Sequence, residues 1–259
     1  MLDGTEPTSA VIELLVKHNI LMICPWRSGF AGSTAHECAV EYAPQEFAKD
    51  IKFLTEYMEL PPCPLVGNMA GSLYAYAAAT YYPTLFTSII NLSGTIPIMS
   101  DTQISMMSTR QRVIAFTAKY TPRLVRFILR AAVAQVDAGG VDKLVSAMYE
   151  GSPFDAELAG DSEIRRLLFE GYRASMAQGQ TGFLADGLQV LTDWSQYIDD
   201  IKIPIHLIHG THDPTIKIST VHELCKHYPH IKLTELSDFG QLIFYGDPKT
   251  IVEVVRQYL

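Results

Sequence analysis

Two apolar patterns alternate near both ends of the chain. Short continuous apolar runs predict buried strands at residues 20–24, 64–66 and 87–92, and further strands are predicted at residues 205–208 and 232–236. Between them, apolar side chains recur every three or four residues and predict helices at residues 11–15, 47–58, 73–83 and 221–227, with a last helix that begins at Asp247-Pro248. Strands that alternate with helices are typical of a parallel sheet covered on both faces. The pattern therefore predicts an α/β fold.

The alternation stops in the middle of the chain. Residues 95–195 have apolar side chains at helical spacing only, over residues 113–119, 122–136, 141–149, 163–176 and 183–194. We interpret this region as an all-α cap inserted into an α/β core. The core then consists of residues 1–94 and 196–259.

Residues 63–83 combine a strand, a tight turn and a helix. This is the layout of a nucleophile elbow, G-x-S-x-G, in which the strand and the helix approach closely at the two glycines. Gly67 and Gly71 hold the glycine positions, and Ala70 holds the small position between them. The central position holds Met69. Because a thioether has no proton to lose, Met69 cannot act as a hydroxyl nucleophile.

Three segments together carry a resemblance to a known family. They are residues 27–33 (RSGFAGS), the elbow at 67–71 and the turn at 209–214 (HGTHDP). The chain resembles the α/β-hydrolase superfamily, in the branch with a helical cap that includes haloperoxidase-like and epoxide-hydrolase-like proteins. Residues 25–33 and 240–245 are also similar to hydrolase-like domains joined to LuxR-type regulators.

The resemblance implies a triad in the chain order Ser, Asp, His. Asp213 stands at the acid position and Met69 at the nucleophile position. The sequence Asp238-Phe239-Gly240 places Phe239 at the base position. A chain with an acid but neither a nucleophile nor a base cannot run the Ser-His-Asp mechanism.

The resemblance also implies binding residues. The backbone amide of Ala70 would form half of an oxyanion hole. Leu2 and Phe30 are expected to line the same site. Because Met69 and Phe239 replace polar groups, we expect a dry, apolar cavity under the cap.

The N-terminal residues 1–4 (MLDG) resemble the segment that follows the family's third strand. The resemblance implies that the N-terminal strands are missing. Three explanations stay open: a misassigned start codon, the tail of a longer protein, or a rearranged sheet. We expect unpaired strand edges, and hence poor solubility or a homodimer that forms through the gap.

Other side chains could replace the missing nucleophile. Ser72 and Ser33 are candidates, but each needs a base within hydrogen-bond reach. His209 and His212 flank the acid turn and are the nearest bases. We interpret His209 as structural and His212 as partly exposed.

Charge and composition limit the classes of molecule that the protein can be expected to bind. A net charge of −8 over 259 residues argues against binding to nucleic acid or to an anionic membrane. The four cysteines lack metal-ligand spacing, and the sequence has no phosphate loop or dinucleotide motif, so we expect no metal or cofactor and a cytoplasmic protein with reduced thiols.

Arg123, Arg126 and Arg130 share one face of a predicted helix. A solvated cationic face is the main interpretation there, and an anion site is the minority one.

These observations support three hypotheses for the function. The first is a catalytically degenerate α/β-hydrolase-fold protein that binds or senses a small apolar molecule. The second is a hydrolase of small esters or lactones that uses a non-standard site. The third is a truncated product without a function of its own.

Overall fold

The computed structural model of the protein describes residues 6–38, 40–107 and 109–259. In these residues one sheet contains four parallel strands in the order β1-β2-β3-β4: β1 (Cys63–Asn68), β2 (Phe86–Leu92), β3 (Ile205–Gly210) and β4 (Lys232–Leu236). In β2, Ile89 lies between Leu65 of β1 and Ile205 of β3. These four strands match four of the five strands predicted from the sequence.

The described residues also form thirteen α-helices. Three of them precede β2: α1 (Ser9–Lys17), α2 (Ala43–Tyr57) and α3 (Gly71–Tyr81). The next seven lie between β2 and β3: α4 (Asp101–Met106), α5 (Thr109–Tyr120), α6 (Pro122–Tyr149), α7 (Pro153–Leu158), α8 (Ser162–Met176), α9 (Thr181–Gln189) and α10 (Gln196–Asp199). Three follow β3: α11 (Ile218–His227), α12 (Ile243–Gly246) and α13 (Pro248–Arg256).

Different helices cover the two faces of the sheet. α2 and α3 pack on the face that contains Ile89 and Leu207, whereas α1 and α13 pack on the face that contains Ile90 and Ile208. Adjacent residues of a strand point to opposite faces, so a fully apolar run fills both cores at once. This arrangement confirms the predicted α/β fold with a parallel sheet.

The last helix begins where the sequence predicts. The Asp247 side chain accepts a hydrogen bond from the Thr250 backbone amide at 3.2 Å, and Pro248 follows at the first helical position. A side-chain oxygen satisfies one of the free amides at a helix start, and proline needs no acceptor there. α13 then places Ile251, Val252 and Val254 against the sheet side of the molecule.

The predicted strand at residues 20–24 is wrong. These residues form no strand in the structure, and the side chains of Leu21 and Ile23 are 76% and 37% exposed. A strand persists where a neighbour takes its backbone N–H and C=O groups. β1 is paired on one side only in the described part of the chain, and Val66 in its middle is 42% exposed. An apolar run alone therefore did not make a strand.

The region between β2 and β3 is helical, as predicted. The predicted helices at residues 122–136 and 141–149 both lie within α6, and the backbone is non-helical between them at Gly140, where φ is 63°. Trp194 and Ile198 from this region lie in the core under α3. The division of the chain at residues 95 and 195 stays a prediction. Across the described residues, every helix is too short or too polar to cross a membrane.

Candidate functional site

The elbow keeps its backbone shape around Met69. The φ angle of Met69 is +48°, in the left-handed region that favours glycine. Its amide donates to the Leu92 carbonyl at 3.1 Å, and its carbonyl accepts from the amides of Ser72 and Thr95, each at 3.1 Å. A Cβ at Gly67 would lie 2.6 Å from the Ser72 Cα, so the strand and the helix can approach only with glycine there.

Met69 is 8% exposed and Ala70 is 1% exposed. Ala70 begins α3, where the first amides of a helix have no acceptor within the helix. Met69 thus has the strained backbone of a nucleophile position with a side chain that can neither donate a proton nor attack as a hydroxyl. The role of these two residues stays a prediction.

Asp213 lies buried in the turn after β3. Its Oδ1 accepts hydrogen bonds from the amides of Thr215 at 2.7 Å and Ile216 at 3.0 Å, and from the Gln241 Nε2 at 3.1 Å. Burial raises the pKa of Asp213, although His209 and the two amides oppose the rise. The carboxylate is therefore held by its own turn and by one side-chain amide.

His209 belongs to the turn rather than to a reacting pair. Its Nε2 donates to the Ile216 carbonyl at 2.7 Å and lies 3.7 Å from the Asp213 Oδ2. The ring is 2% exposed. His212 is exposed, and its Nδ1 lies 3.1 Å from the Thr211 hydroxyl. These positions match the interpretation of both histidines.

The side chain that faces Asp213 is Gln241, and not Phe239. In a triad the base hydrogen-bonds to the acid, and Gln241 makes that contact. It also donates to the Thr215 hydroxyl. The Phe239 ring instead packs on Phe154, with ring centroids 4.3 Å apart. The assignment of Phe239 to the base position stays a prediction, while the side-chain contact with Asp213 is made by Gln241.

A sequence signal for Gln241 was present. It is the single amide or charged side chain in residues 239–245 (FGQLIFY) and is 2% exposed in the structure. An isolated polar residue in a buried apolar run needs a partner. The sequence cannot say that the partner is Asp213.

A second buried carboxylate, Asp155 of α7, holds the loop that carries Gln241. Its oxygens accept from the backbone amides of Gly240 at 3.2 Å, Gln241 at 2.6 Å and Leu242 at 3.3 Å. A Cβ at Gly240 would lie 2.2 Å from the Asp155 Oδ2, so this contact requires glycine. Burial raises the pKa of Asp155, the three amides lower it, and the Asp213 charge adds to the rise.

A third buried carboxylate, Asp186 of α9, pairs with Arg27. The two guanidinium nitrogens lie 2.6 and 2.5 Å from the two Asp186 oxygens, and the Tyr74 hydroxyl donates to Oδ1 at 2.7 Å. The Arg27 guanidinium lies 4.1 Å from the Tyr74 ring centroid and 4.5 Å from that of Phe30. Burial disfavours the Arg27 charge, but Asp186 and Tyr74 outweigh it and raise the pKa of Arg27.

The structure places the predicted binding residues in different surroundings. Phe30 is 5% exposed and packs on Arg27 as part of this ion-pair cluster. Leu2 lies outside the described residues. Asp155, Asp186, Tyr74 and Gln241 were not predicted as site residues. The binding role of Ala70 stays a prediction.

Neither candidate substitute nucleophile has a base beside it in the described residues. Ser72 is fully buried and its Oγ donates to the Gly67 carbonyl at 3.2 Å. The Ser33 Oγ donates to the Trp26 carbonyl at 2.9 Å. Both hydroxyl protons are thus directed at backbone carbonyls that cannot take them up.

Four buried polar atoms around the site make no hydrogen bond within the described residues. They are the Oδ1 of Asn68, which precedes Met69, the Oγ1 of Thr95, whose amide donates to the Met69 carbonyl, and Asp213 Oδ2 and Gln241 Oε1. Unsatisfied buried polar atoms are rare in folded proteins and mark functional or wet sites.

Two cavities of the protein lie elsewhere. One, of about 850 Å³, runs between α6 and the residues around Trp194, and the other, of about 490 Å³, lies between α6 and α8. Neither is lined by Met69, Asp213 or Phe239. The expected apolar cavity between Met69 and Phe239 is not one of them.

Comparison with known proteins supports the fold. A family model described as alpha/beta hydrolase fold matches residues 7–248. A pimeloyl-[acyl-carrier protein] methyl ester esterase of Aromatoleum aromaticum is 32% identical over 89 residues, and the match spans 32% of this chain and 36% of that protein.

Solved structures of hydrolases are similar over nearly the whole chain. The esterase RhEst1 from Rhodococcus sp. ECU1013 superposes with a TM-score of 0.65 at 16% identity, covering 99% of this chain and 86% of that one. An E-2-(acetamidomethylene)succinate hydrolase has a TM-score of 0.62 at 16% identity, with 98% and 88% covered. Est816, described as an N-acyl homoserine lactone degrading enzyme, has a TM-score of 0.61 at 15% identity, with 90% and 80% covered. This chain belongs to the α/β-hydrolase fold family.

Proposed function

We propose that this protein is a catalytically degenerate α/β-hydrolase-fold protein that binds a small apolar molecule at the carboxyl edge of its sheet. The observation that carries the proposal is the pairing of two replacements. Met69 occupies the strained elbow position, and Gln241 occupies the place beside Asp213.

Proton transfer explains why this arrangement does not hydrolyse esters by the triad mechanism. Attack on a carbonyl needs a hydroxyl or thiol that loses its proton to a base. Met69 has no such proton, and a glutamine amide has no basic nitrogen. Asp213 orients an amide in place of an imidazole. The chemistry is therefore missing at both positions, and one substitution cannot restore it.

Two observations favour a binding site over an inert core. A left-handed φ at Met69 is unfavourable by about 1–3 kcal/mol, and such strain persists at functional sites. The four unsatisfied polar atoms give a ligand a few polar contacts in otherwise apolar surroundings. The carboxyl ends of parallel strands are also where open α/β sheets collect ligands.

The absence of catalysis is tested with p-nitrophenyl acetate and a fluorophosphonate probe. We expect background hydrolysis and no labelling from the protein and from Met69→Ser. Met69→Ser with Gln241→His should give slow hydrolysis, because triad members act as a unit. The matched control is Met69→Ser with Phe239→His, which should stay at background. Stoichiometric labelling of the unmodified protein at Ser72 or Ser33 would overturn the proposal.

Binding is tested separately by thermal unfolding with methyl octanoate, a neutral apolar ester. The ligand should raise Tm because it binds the folded state only. Met69→Trp should remove the shift by filling the site, whereas Val113→Trp, at a position 56% exposed on α5, should keep it. A Tm that does not change with methyl octanoate would contradict the proposed binding site.

The alternative function is hydrolysis of small esters or lactones through a non-standard site. It is favoured by the match to a methyl ester esterase and by the structural similarity to a lactone-degrading enzyme. Saturable turnover of methyl octanoate that survives Met69→Ala would support this alternative. Loss of turnover in Ser72→Ala or Ser33→Ala would then locate the nucleophile.

We infer that the protein pairs with a second copy of itself through β1. β1 has a described neighbour on one side only, and Val66 in its middle is 42% exposed. An unpaired strand edge is a template for another strand. Sedimentation should show a dimer that Val66→Lys converts to a monomer, and a monomer at all concentrations would contradict the inference.

A further inference from the structure

The groove of about 850 Å³ between α6 and the segment around Trp194 contains a row of arginines. Arg123, Arg126 and Arg130 line it from α6, spaced three and four residues apart so that they share one helix face. All three side chains are exposed. The opposite wall comes from residues 188–197. The groove is thus concave, with its positive charges on one wall.

Three arginines elsewhere in the protein have carboxylate partners. Arg27 pairs with Asp186, Arg165 with Asp142 and Arg166 with Glu170. Within the described residues, no carboxylate lies within 4.0 Å of the guanidinium groups of Arg123, Arg126 or Arg130.

Two carboxylates, Glu41 and Asp193, also line the groove. Asp193 Oδ1 accepts from the Ser195 amide at 3.0 Å, so it serves the local turn. Three arginines against two carboxylates still leave the lining of the groove with a net positive charge, in a chain of net charge −8, and this favours an anion there.

Apolar side chains also line the groove beside its polar ones. Phe127 is 69% exposed between the arginines, and Leu188 lies on the opposite wall. Trp194, 1% exposed, is another lining residue, and its Nε1 makes no hydrogen bond in the described residues. A buried indole N–H normally has a partner. The groove therefore offers an exposed ring to an apolar body, and one of its lining residues has a donor without an acceptor.

We propose that this groove binds a small amphipathic carboxylate, with its head on the arginines and its apolar body on Phe127 and Leu188. Guanidinium groups bind carboxylates through two parallel hydrogen bonds. The volume lies in the range of small-molecule sites. The site is separate from the elbow, since Met69 and Asp213 do not line it.

The test is titration calorimetry of the whole chain with decanoate, and with decanol as the uncharged control. Decanoate should bind and decanol should bind at least about tenfold more weakly, which corresponds to one charge-assisted contact. Higher salt should weaken decanoate binding, because the arginines are exposed. Equal affinity for the two compounds would overturn the proposal.

Variants locate the site. Arg126→Gln should weaken decanoate binding about tenfold, and the triple variant Arg123→Gln, Arg126→Gln, Arg130→Gln should abolish it. Arg166→Gln on α8, which removes an exposed arginine outside the groove, should change nothing. Tm confirms that each variant is folded. Binding that survives the triple variant but is lost in Met69→Trp would place decanoate at the elbow and overturn the groove. Loss of methyl octanoate binding alone would affect only the proposed function.

Discussion

Asp155 and Asp186 each bind a distant loop, but Asp155 accepts hydrogen bonds from backbone amides and Asp186 pairs with a guanidinium group. Both are fully buried carboxylates on helices between β2 and β3, and both reach loops of the sheet region. Asp186 faces the Arg27 guanidinium, which lies between two aromatic rings. Asp155 faces three backbone amides and has the Asp213 carboxylate as a neighbour.

The difference shows which part of the site depends on pH. At Asp186 the full positive charge of Arg27 compensates the carboxylate through two hydrogen bonds. At Asp155 partial charges on amides do not offset burial, and the pKa rises. The loop that carries Gln241 is therefore held by a group that titrates, whereas the loop that carries Phe30 is held by an ion pair.

The largest expected effect comes from breaking the ion pair. Asp186→Asn leaves the Arg27 charge buried without its partner and should lower the free energy of unfolding by about 3–5 kcal/mol. Urea unfolding measures it. Arg27→Met with Asp186→Leu should be less harmful than the single change, because no charge is left unpaired. Glu223→Gln, which removes an exposed pair with Lys226, should change stability by under about 1 kcal/mol.

Asp155→Asn should have the next largest effect. The asparagine oxygen can accept from part of the Gly240–Leu242 amides, but its NH₂ group opposes the rest, and leaving buried amides unsatisfied costs about 1–3 kcal/mol. Glu157→Gln on the exposed side of α7 is the matched control. A loss equal to that of Asp186→Asn would show that the two contacts are energetically alike.

Tyr74→Phe tests a part of the ion-pair cluster without removing its charges. The variant deletes the hydroxyl that donates to Asp186 at 2.7 Å but keeps the ring beside Arg27. We expect a loss of about 0.5–1.5 kcal/mol, since Arg27 still satisfies the carboxylate. Tyr57→Phe, at a tyrosine 77% exposed, should be neutral. A loss above that of Asp155→Asn would contradict this ranking.

The last prediction concerns how the free energy of unfolding depends on pH. Because folding raises the pKa of Asp155, its contribution to stability is complete below the unfolded pKa of about 3.9 and is lost as pH rises through the folded pKa. The difference in unfolding free energy between the protein and Asp155→Asn should therefore shift in favour of the protein as pH falls from 7 to about 4. Urea unfolding across this range measures it, with Glu157→Gln as control. A flat or opposite trend would contradict the titrating contact.

Local pattern was sufficient for most of the fold. An apolar run predicted β2, because a strand covered on both faces is apolar throughout, and the sequence also predicted β1, β3 and β4. The glycine spacing of the elbow predicted the tight turn that holds Met69 at φ +48°. The Asp247-Pro248 pair predicted the start of α13. Each of these depends on neighbours within a few residues.

The sequence alone determined the parallel α/β fold, the elbow and the identity of Met69 within it, because these follow from side-chain periodicity and short spacings. Only the tertiary structure decided that residues 20–24 form no strand, since a strand needs a partner ladder. It also decided that Gln241 and not Phe239 contacts Asp213, and that Asp155 and Asp186 reach their loops across 85 and 159 residues of chain. Hydrogen bonds and ion pairs act over a few ångströms in space, and no local pattern records which distant residues come that close.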